Sequence, residues 1–327
     1  MSSGETYCLY GLRVRSDLPL PAVPVPDDGS ADLVVRHCGA IARPTCPPPA
    51  AMIDWRQTSD GWLLRYSNRT GELLEFSFSP DASEIEIRST ISEATQDIAA
   101  LLVGAVVASA LHLRGHPALH ASAVIVDQRA IVLAGMAGAG KSTLTAALVA
   151  KGVPLLAEDL AVLKFGKDVT AVQSGYPRLR LWPDAVSVVG KAASDLPRVF
   201  SFLTSEDKRW VNVADLAGGF CATPAPLGGI YLLAPRRPAR ETLTIEPLPA
   251  HRAALALLVH LYGERWLRTP KAKALAWCAR IAGQTPVSVV HAPPGLDRIG
   301  ETAEAIVVDC RRSSPAASRV LDPAATA

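Results

Sequence analysis

The chain has little of what marks several protein classes. None of its six cysteines (Cys8, Cys38, Cys46, Cys221, Cys278 and Cys310) sits in a CxxC pair. Neither a zinc site nor a disulfide framework is therefore expected, and reduced thiols in a cytoplasmic protein are. Aromatic residues make up 6% of the chain and the formal charge is +2, with no block of lysine and arginine and no aromatic stripe beside one. That pattern excludes an obvious nucleic-acid surface. The longest uncharged apolar run, Ile98–Leu113, is shorter than the ~20 residues that cross a bilayer, so it is expected to be a buried helix and no membrane span is expected. The opening Met1–Tyr7 is polar, which predicts no secretory leader. Asn68-Arg69-Thr70 fits a glycosylation triplet but carries no weight in a cytoplasmic chain.

What is present is an ordinary globular composition, 49% hydrophobic and 20% charged over 327 residues, enough for one large domain or two modest ones. Residues 17–30 and 43–51 are rich in proline, alanine and aspartate and read as loops. Around them lie short extended runs: Tyr7–Arg15, Leu33–His37, Trp62–Tyr66, Leu73–Phe78 and Glu84–Arg88, with turn residues at Asp60-Gly61 and Thr70-Gly71. Glu84–Arg88 alternates with period two, the pattern of a half-buried strand. These runs predict a small antiparallel module over residues 1–90. A helix is predicted from about Ile91 to Leu113, with Ser92 and Gln96 near its start and Gly115 and Pro117 past its end. Strands at 119–126 and 130–134 follow, joined by Asp127-Gln128. A helix at 141–151 and strands at 153–157 and 161–165 continue the alternation. Strands at 229–233, 243–247 and 287–290 and helices at 250–261, 271–282 and 298–307 complete it. Strand-loop-helix-strand succession predicts an α/β domain over 91–310. Residues 311–327 read as a disordered tail.

The stretch Gly135-Met136-Ala137-Gly138-Ala139-Gly140-Lys141-Ser142 fits G-x-x-x-x-G-K-[ST] between an apolar strand and a helix-forming run. Glycines let the backbone curl so that successive N–H groups face phosphate oxygens, and the helix start adds partial positive charge. Gly135, Gly138, Ala139, Gly140, Lys141, Ser142 and Thr143 are the candidate nucleotide contacts. Lys141 is expected at the β- and γ-phosphates, and the Ser142 hydroxyl on Mg²⁺. ATP and Mg²⁺ are thus the expected cofactors.

Other candidates leave alternatives open. Glu158 and Asp159 follow the apolar run Val153–Ala157, either as a metal ligand and a proton acceptor or as a solvated acidic turn. His120 begins a strand and is either a structural residue or a site residue. Arg178 and Arg180 alternate on one strand face, either solvated or holding a triphosphate or a carboxylate. Asp184 either caps a helix after Pro183 or ligates metal. Arg236-Arg237 is either a surface turn or a source of transition-state charge.

Taken together, His120-Ala121-Ser122-Ala123-Val124, the glycine-rich loop and Leu155–Leu163 resemble the HPr kinase/phosphorylase family. The resemblance is closer to the HPr-kinase-like proteins encoded with lasso-peptide clusters. Residues 174–183, 227–233, 10–14 and 17–21 are also similar to segments of that group. The resemblance implies a phosphoenolpyruvate-carboxykinase-like P-loop fold with a small β-rich N-terminal module. It implies transfer of the ATP γ-phosphate to a serine hydroxyl, with a peptide or a small molecule as phosphoacceptor and possible homo-oligomers. It places Asp159 as the residue that takes the serine proton and His120 as an active-site histidine. Lys141 and Ser142 become the phosphate and magnesium contacts. Glu158 stands where the family shows a first aspartate. The glycine-rich segment that gives the bifunctional enzymes a second metal carboxylate has no counterpart after residue 175. A non-catalytic ATP-binding regulator is the remaining alternative.

Overall fold

The computed structural model describes residues 4–43, 45, 52–91, 94–167, 169–201, 206–235, 242–263, 267 and 269–313. The first sheet is built from residues 5–89 alone. Its strands are β1 (Glu5–Leu9), β2 (Leu12–Ser16), β3 (Val23–Pro24), β4 (Leu33–Ala40), β5 (Met52–Thr58), β6 (Gly61–Ser67), β7 (Leu73–Phe78) and β8 (Glu84–Ser89). They lie in the order β3-β1-β2-β4-β8-β7-β6-β5. The expected antiparallel module is in fact a mixed sheet, because β2–β4 and β4–β8 pair in parallel. The expected single run Tyr7–Arg15 is a hairpin. Tyr10 and Gly11 both take positive φ, 53° and 79°, the backbone of a two-residue turn whose twist suits paired strands.

A long helix leaves this sheet: α1 (Thr95–Leu101), a π segment (Leu102–Val106) and α2 (Val107–Leu113). Ser92 lies outside the described residues. The most apolar 18 of its 19 residues have a mean hydropathy of 1.7, which meets the length and apolarity of a membrane span, yet 83% of that stretch is buried within the protein. A helix apolar on every side is a core helix when protein surrounds it. Its side chains belong to one cluster that holds Leu64, Phe76 and Ile87 of the first sheet and Val132, Leu156 and Ile230 of the second.

The second sheet contains β9 (Ala118–Leu119), β10 (Ala121–Val126), β11 (Arg129–Gly135), β12 (Leu155–Ala157), β13 (Ala161–Phe165), β14 (Thr170–Val172), β17 (Ala225–Leu233), β18 (Thr244–Pro247) and β19 (Val287–His291). A separate ribbon pairs β15 (Arg178–Leu181) with β16 (Arg209–Asn212). The remaining helices are α3 (Lys141–Ala150), α4 (Ala250–Leu258), α5 (Lys271–Gln284) and α6 (Ile299–Ser313). β11 lies between β10 and β17 and runs parallel to β17. It is buried on both faces after its first residue, which is why it reads as an unbroken apolar run. α4 stops short of the expected Leu261 because the chain turns out to pair with β9: Tyr262 N donates to Ala118 O (2.8 Å) and His120 N to His260 O (2.7 Å). Residues 311–313, expected in the tail, close the last turn of α6. The rest of the expected tail lies outside the described residues.

Candidate active site

β11 ends at Gly135, where a Cβ would sit 3.0 Å from Ala139 Cβ and 3.1 Å from Leu233 Cβ. A larger residue there would have to push its neighbours back, so glycine suits the close fold of the loop. Gly138 (φ 80°) and Gly140 (φ 95°) take the left-handed conformation that turns the chain into α3. Met136, Ala137 and Gly138 form an exposed crest, whereas Lys141 is 8% exposed. Its Nζ donates to the loop's own Gly135 carbonyl at 2.8 Å. The ammonium is thus held across the mouth of the loop. Burial lowers its pKa, and the carboxylates of Asp159 and Glu158 oppose that shift. Ser142 and Thr143 are half-buried in the first turn of the helix.

β12 delivers the two carboxylates, and their surroundings differ. Glu158 is 1% exposed. Its Oε1 accepts from Ser142 Oγ at 2.9 Å and its Oε2 from Tyr176 Oη at 3.2 Å. Burial first, and then the neighbouring negative charge of Asp159, raise its pKa to about 7 against the opposing Arg180. Asp159 has φ 67°, a conformation uncommon outside glycine and tolerated by aspartate. Burial raises its pKa, but His120, Arg180, Lys208 and Lys141 outweigh burial and hold it below the ordinary value. Its Oδ1 lies 3.3 Å from His120 Nδ1 and its Oδ2 3.7 Å from Arg180 Nη1.

His120 is fixed from several sides. Its Nδ1 is 3.1 Å from the Asp159 carbonyl, and its ring meets Tyr262 edge-on at 5.9 Å. Burial lowers its pKa, so the ring is neutral at neutral pH and Nδ1–H donates to the Asp159 carbonyl. Arg180 is clamped between Tyr176 and Trp210, 5.6 and 5.0 Å from the ring centres. Its Nη2 donates to Ala100 O at 2.8 Å. That carbonyl belongs to the long helix one turn before Gly104, whose backbone (φ −120°, ψ −108°) breaks the regular helix. A Cβ on Gly104 would lie 3.6 Å from Arg180 Nη2 and 3.8 Å from Asp159 Oδ2. The π segment therefore brings main chain against the charged pair, a use such segments often serve.

These groups border a cleft of about 210 Å³. Ser142, Glu158, Asp159, Arg180, Glu206 and Lys208 form the polar part of its lining, and Ile53, Tyr66, Phe200 and Tyr262 belong to the rest. Ser142 and Glu158 offer Mg²⁺ a hydroxyl and a carboxylate, hard oxygen donors 2.9 Å apart. Among the described residues no cluster of three or more His, Cys, Asp or Glu side chains is gathered. A two-oxygen site suits an ion that keeps water and substrate phosphate in its shell.

The structure thus brings His120, Lys141, Ser142, Glu158, Asp159 and Arg180 together. It leaves Arg178 apart: the residue shares the Trp210 face (5.7 Å) but lines another depression with Pro19 and Gln96. Asp184 is exposed and lies inside the short helix Pro183–Val189, whose N-cap is Trp182 with no side-chain cap bond; its Oδ1 accepts from the adjacent Ala185 N at 3.0 Å, so it neither caps the helix nor joins the cleft. Arg236-Arg237 lies outside the described residues. Sequence reasoning missed Tyr176, Lys208, Tyr66, Tyr262 and His260. Only Tyr176 left a trace, next to the arginines in Ser174–Pro183. Lys208 lies against Trp182 (5.4 Å) and Glu206 (3.3 Å), and no local pattern marks it.

No family model matches the chain, and no curated protein matches it. Among solved structures the chain is similar to the Hpr(Ser) kinase/phosphatase from Coxiella burnetii. The match has a TM-score of 0.33 and 13% sequence identity and covers 60% of this chain and 96% of that one. That enzyme is of the family that the sequence resembles.

Proposed function

We propose that the protein is an ATP- and Mg²⁺-dependent kinase that transfers the γ-phosphoryl group to a serine hydroxyl of a peptide, on a phosphoenolpyruvate-carboxykinase-like P-loop scaffold. One observation carries this reading. Two adjacent carboxylates line one cleft: Glu158 is tied to the glycine-rich-loop hydroxyl of Ser142, while Asp159 is tied instead to His120 and Arg180. A protein that only senses ATP has no need of the second group.

The loop amides and Lys141 hold the triphosphate. Ser142 Oγ and Glu158 would hold Mg²⁺, which when bound draws charge off the phosphate oxygens. Asp159 accepts a hydrogen bond from the acceptor hydroxyl and aims its oxygen at the γ-phosphorus. The new O–P bond forms as the bond to the β–γ bridging oxygen breaks, and ADP leaves with that electron pair. The hydroxyl proton passes to an Asp159 Oδ. A carboxylate with a lowered pKa is a weak base, so this transfer comes late, once bonding to phosphorus has made the hydroxyl acidic. Arg180 keeps Asp159 ionised, and neutral His120 helps to keep it in place.

The test is γ-phosphate transfer from ATP to peptide and small-molecule hydroxyl acceptors. Asp159→Asn is expected to lower turnover by about 10²–10⁴-fold with ATP binding kept. Wild-type turnover in that variant would remove Asp159 from the role.

A further inference from the structure

The first sheet ends differently on its two sides. At one edge β3 is two residues long and ends in Pro24. A short strand with a proline is a standard way to stop another chain from pairing there. At the other edge β5 runs for seven residues, Met52-Ile53-Asp54-Trp55-Arg56-Gln57-Thr58, with neither proline nor lysine. Among the described residues it pairs with β6 alone. Its single arginine is engaged by Asp54 at 3.2 Å, so the two charges on that face offset each other. Alternate amides and carbonyls of this strand point away from β6.

The start of this strand borders the candidate active site. Ile53, near the start of β5, is 47% exposed and lines the cleft that holds Asp159 and Ser142. Its cross-strand partner Tyr66 lines the same cleft. Aromatic packing seats the strand on the sheet. Trp55 stacks on Trp62 at 5.2 Å and meets Phe78 edge-on at 5.5 Å. Ile53 and Trp55 share one face of the strand, and Asp54 and Arg56 share the other.

We propose that the acceptor is an extended peptide whose residues on one side of the phosphorylated position add to the free edge of β5 as a further strand. This rests on the kinase reading above and names how that kinase holds its substrate. Main-chain hydrogen bonds to β5 supply the affinity, and side chains at alternate positions supply the selectivity. Peptide residues level with Ile53 and Trp55 are apolar, because cross-strand neighbours on one face pack together. The six residues from Ile53 to Thr58 span roughly 20 Å, so recognition extends over about four to six residues on that side. A free sugar or metabolite has no main chain to pair and gains nothing from this edge.

The test uses the full chain, Mg²⁺ and ATP with an array of ten-residue peptides, each with one serine among apolar-polar alternations. For a phosphorylated peptide, backbone amides are N-methylated one at a time. The expected result is a period-two pattern over at least four residues on one side of the serine. Methylation at every second amide raises KM about tenfold, and at the others hardly at all. Ile53→Lys, checked for folding by thermal melting, is expected to raise peptide KM by a similar factor. Phosphorylated peptides whose KM ignores N-methylation would overturn the docking mode and leave the kinase intact. So would transfer to small hydroxyl compounds with none to any peptide. Absence of γ-phosphate transfer to every acceptor would overturn both.

Discussion

The two walls of the cleft are made in different ways. The polar wall, proposed to hold phosphate, comes mostly from one loop, one helix start and the two residues after β12, joined by Arg180 and Lys208. The other part of the lining, proposed to hold the acceptor, is assembled from Ile53, Tyr66, Phe200 and Tyr262, which lie far apart along the chain. Charge is concentrated on the first and aromatic surface on the second. A phosphate tail needs a fixed cage of amides and cations, which one compact motif can supply. An acceptor needs shape, which only the assembled fold can supply. Walls so unlike are expected to fail differently when altered.

The largest effect is expected on the phosphate wall. Lys141→Ala removes a cation already positioned over the loop, and kcat/KM should fall by at least about a hundredfold. Stopped transfer assays with saturating ATP would read this as a loss in kcat. On the other wall, Tyr262→Ala should raise acceptor KM about tenfold through lost apolar contact. Slow ATP hydrolysis without acceptor should stay near that of the unaltered protein. If Tyr262→Ala lowered kcat as Lys141→Ala does, the division between the walls would collapse.

A proton balance sharpens the contrast within the phosphate wall. The raised pKa of Glu158, about 7, leaves it partly protonated at pH 6, and a metal needs the carboxylate. Binding of Mg²⁺ and ATP should therefore release a proton below about pH 7 and none well above it. Calorimetry in buffers of different ionisation heat would show this, and Glu158→Gln should abolish it.

The smallest effects concern stability. His260 is buried near Lys141 and His120; burial chiefly, then the Lys141 ammonium, and last His120 in its charged form at low pH, lower its pKa to about 4 from an ordinary 6.5. Between those values the unfolded chain binds the proton first, so stability from this group is lost as pH falls from 6.5 towards 4. Glu158 acts in the opposite sense. Its folded pKa is raised from 4.5 to about 7, so between those values the unfolded carboxyl ionises first and stability falls as pH rises. The melting temperatures of His260→Gln and Glu158→Gln, followed from pH 4 to 8, should each lose one slope. Parallel curves for both variants and the parent would show that neither group is linked to folding.

The contrast between the walls also explains what could be read from the sequence. Gly135–Ser142 and Glu158-Asp159 were legible because local spacing alone sets their geometry. Lys208 and Tyr66 were not, since only the packing of distant strands brings them to Asp159. β5 was missed although Ile53 and Trp55 alternate with Asp54 and Arg56, a period-two signal over a short span. The helix was read as one uninterrupted element. Nothing but a single glycine hints that Gly104 breaks it, and it is that break that lets main chain approach Arg180. The run Tyr7–Arg15 was read as one strand because tyrosine is a poor advertisement for a left-handed turn.

The apolar cluster that runs unbroken from the first sheet through the long helix to the second has a practical consequence. Cutting the chain near residue 90 would strip one side of a helix that has no polar face to show to water. If β5 holds the acceptor as proposed, acceptor preference is best altered by point changes along β5 and its neighbours, not by grafting another front half onto the same second sheet.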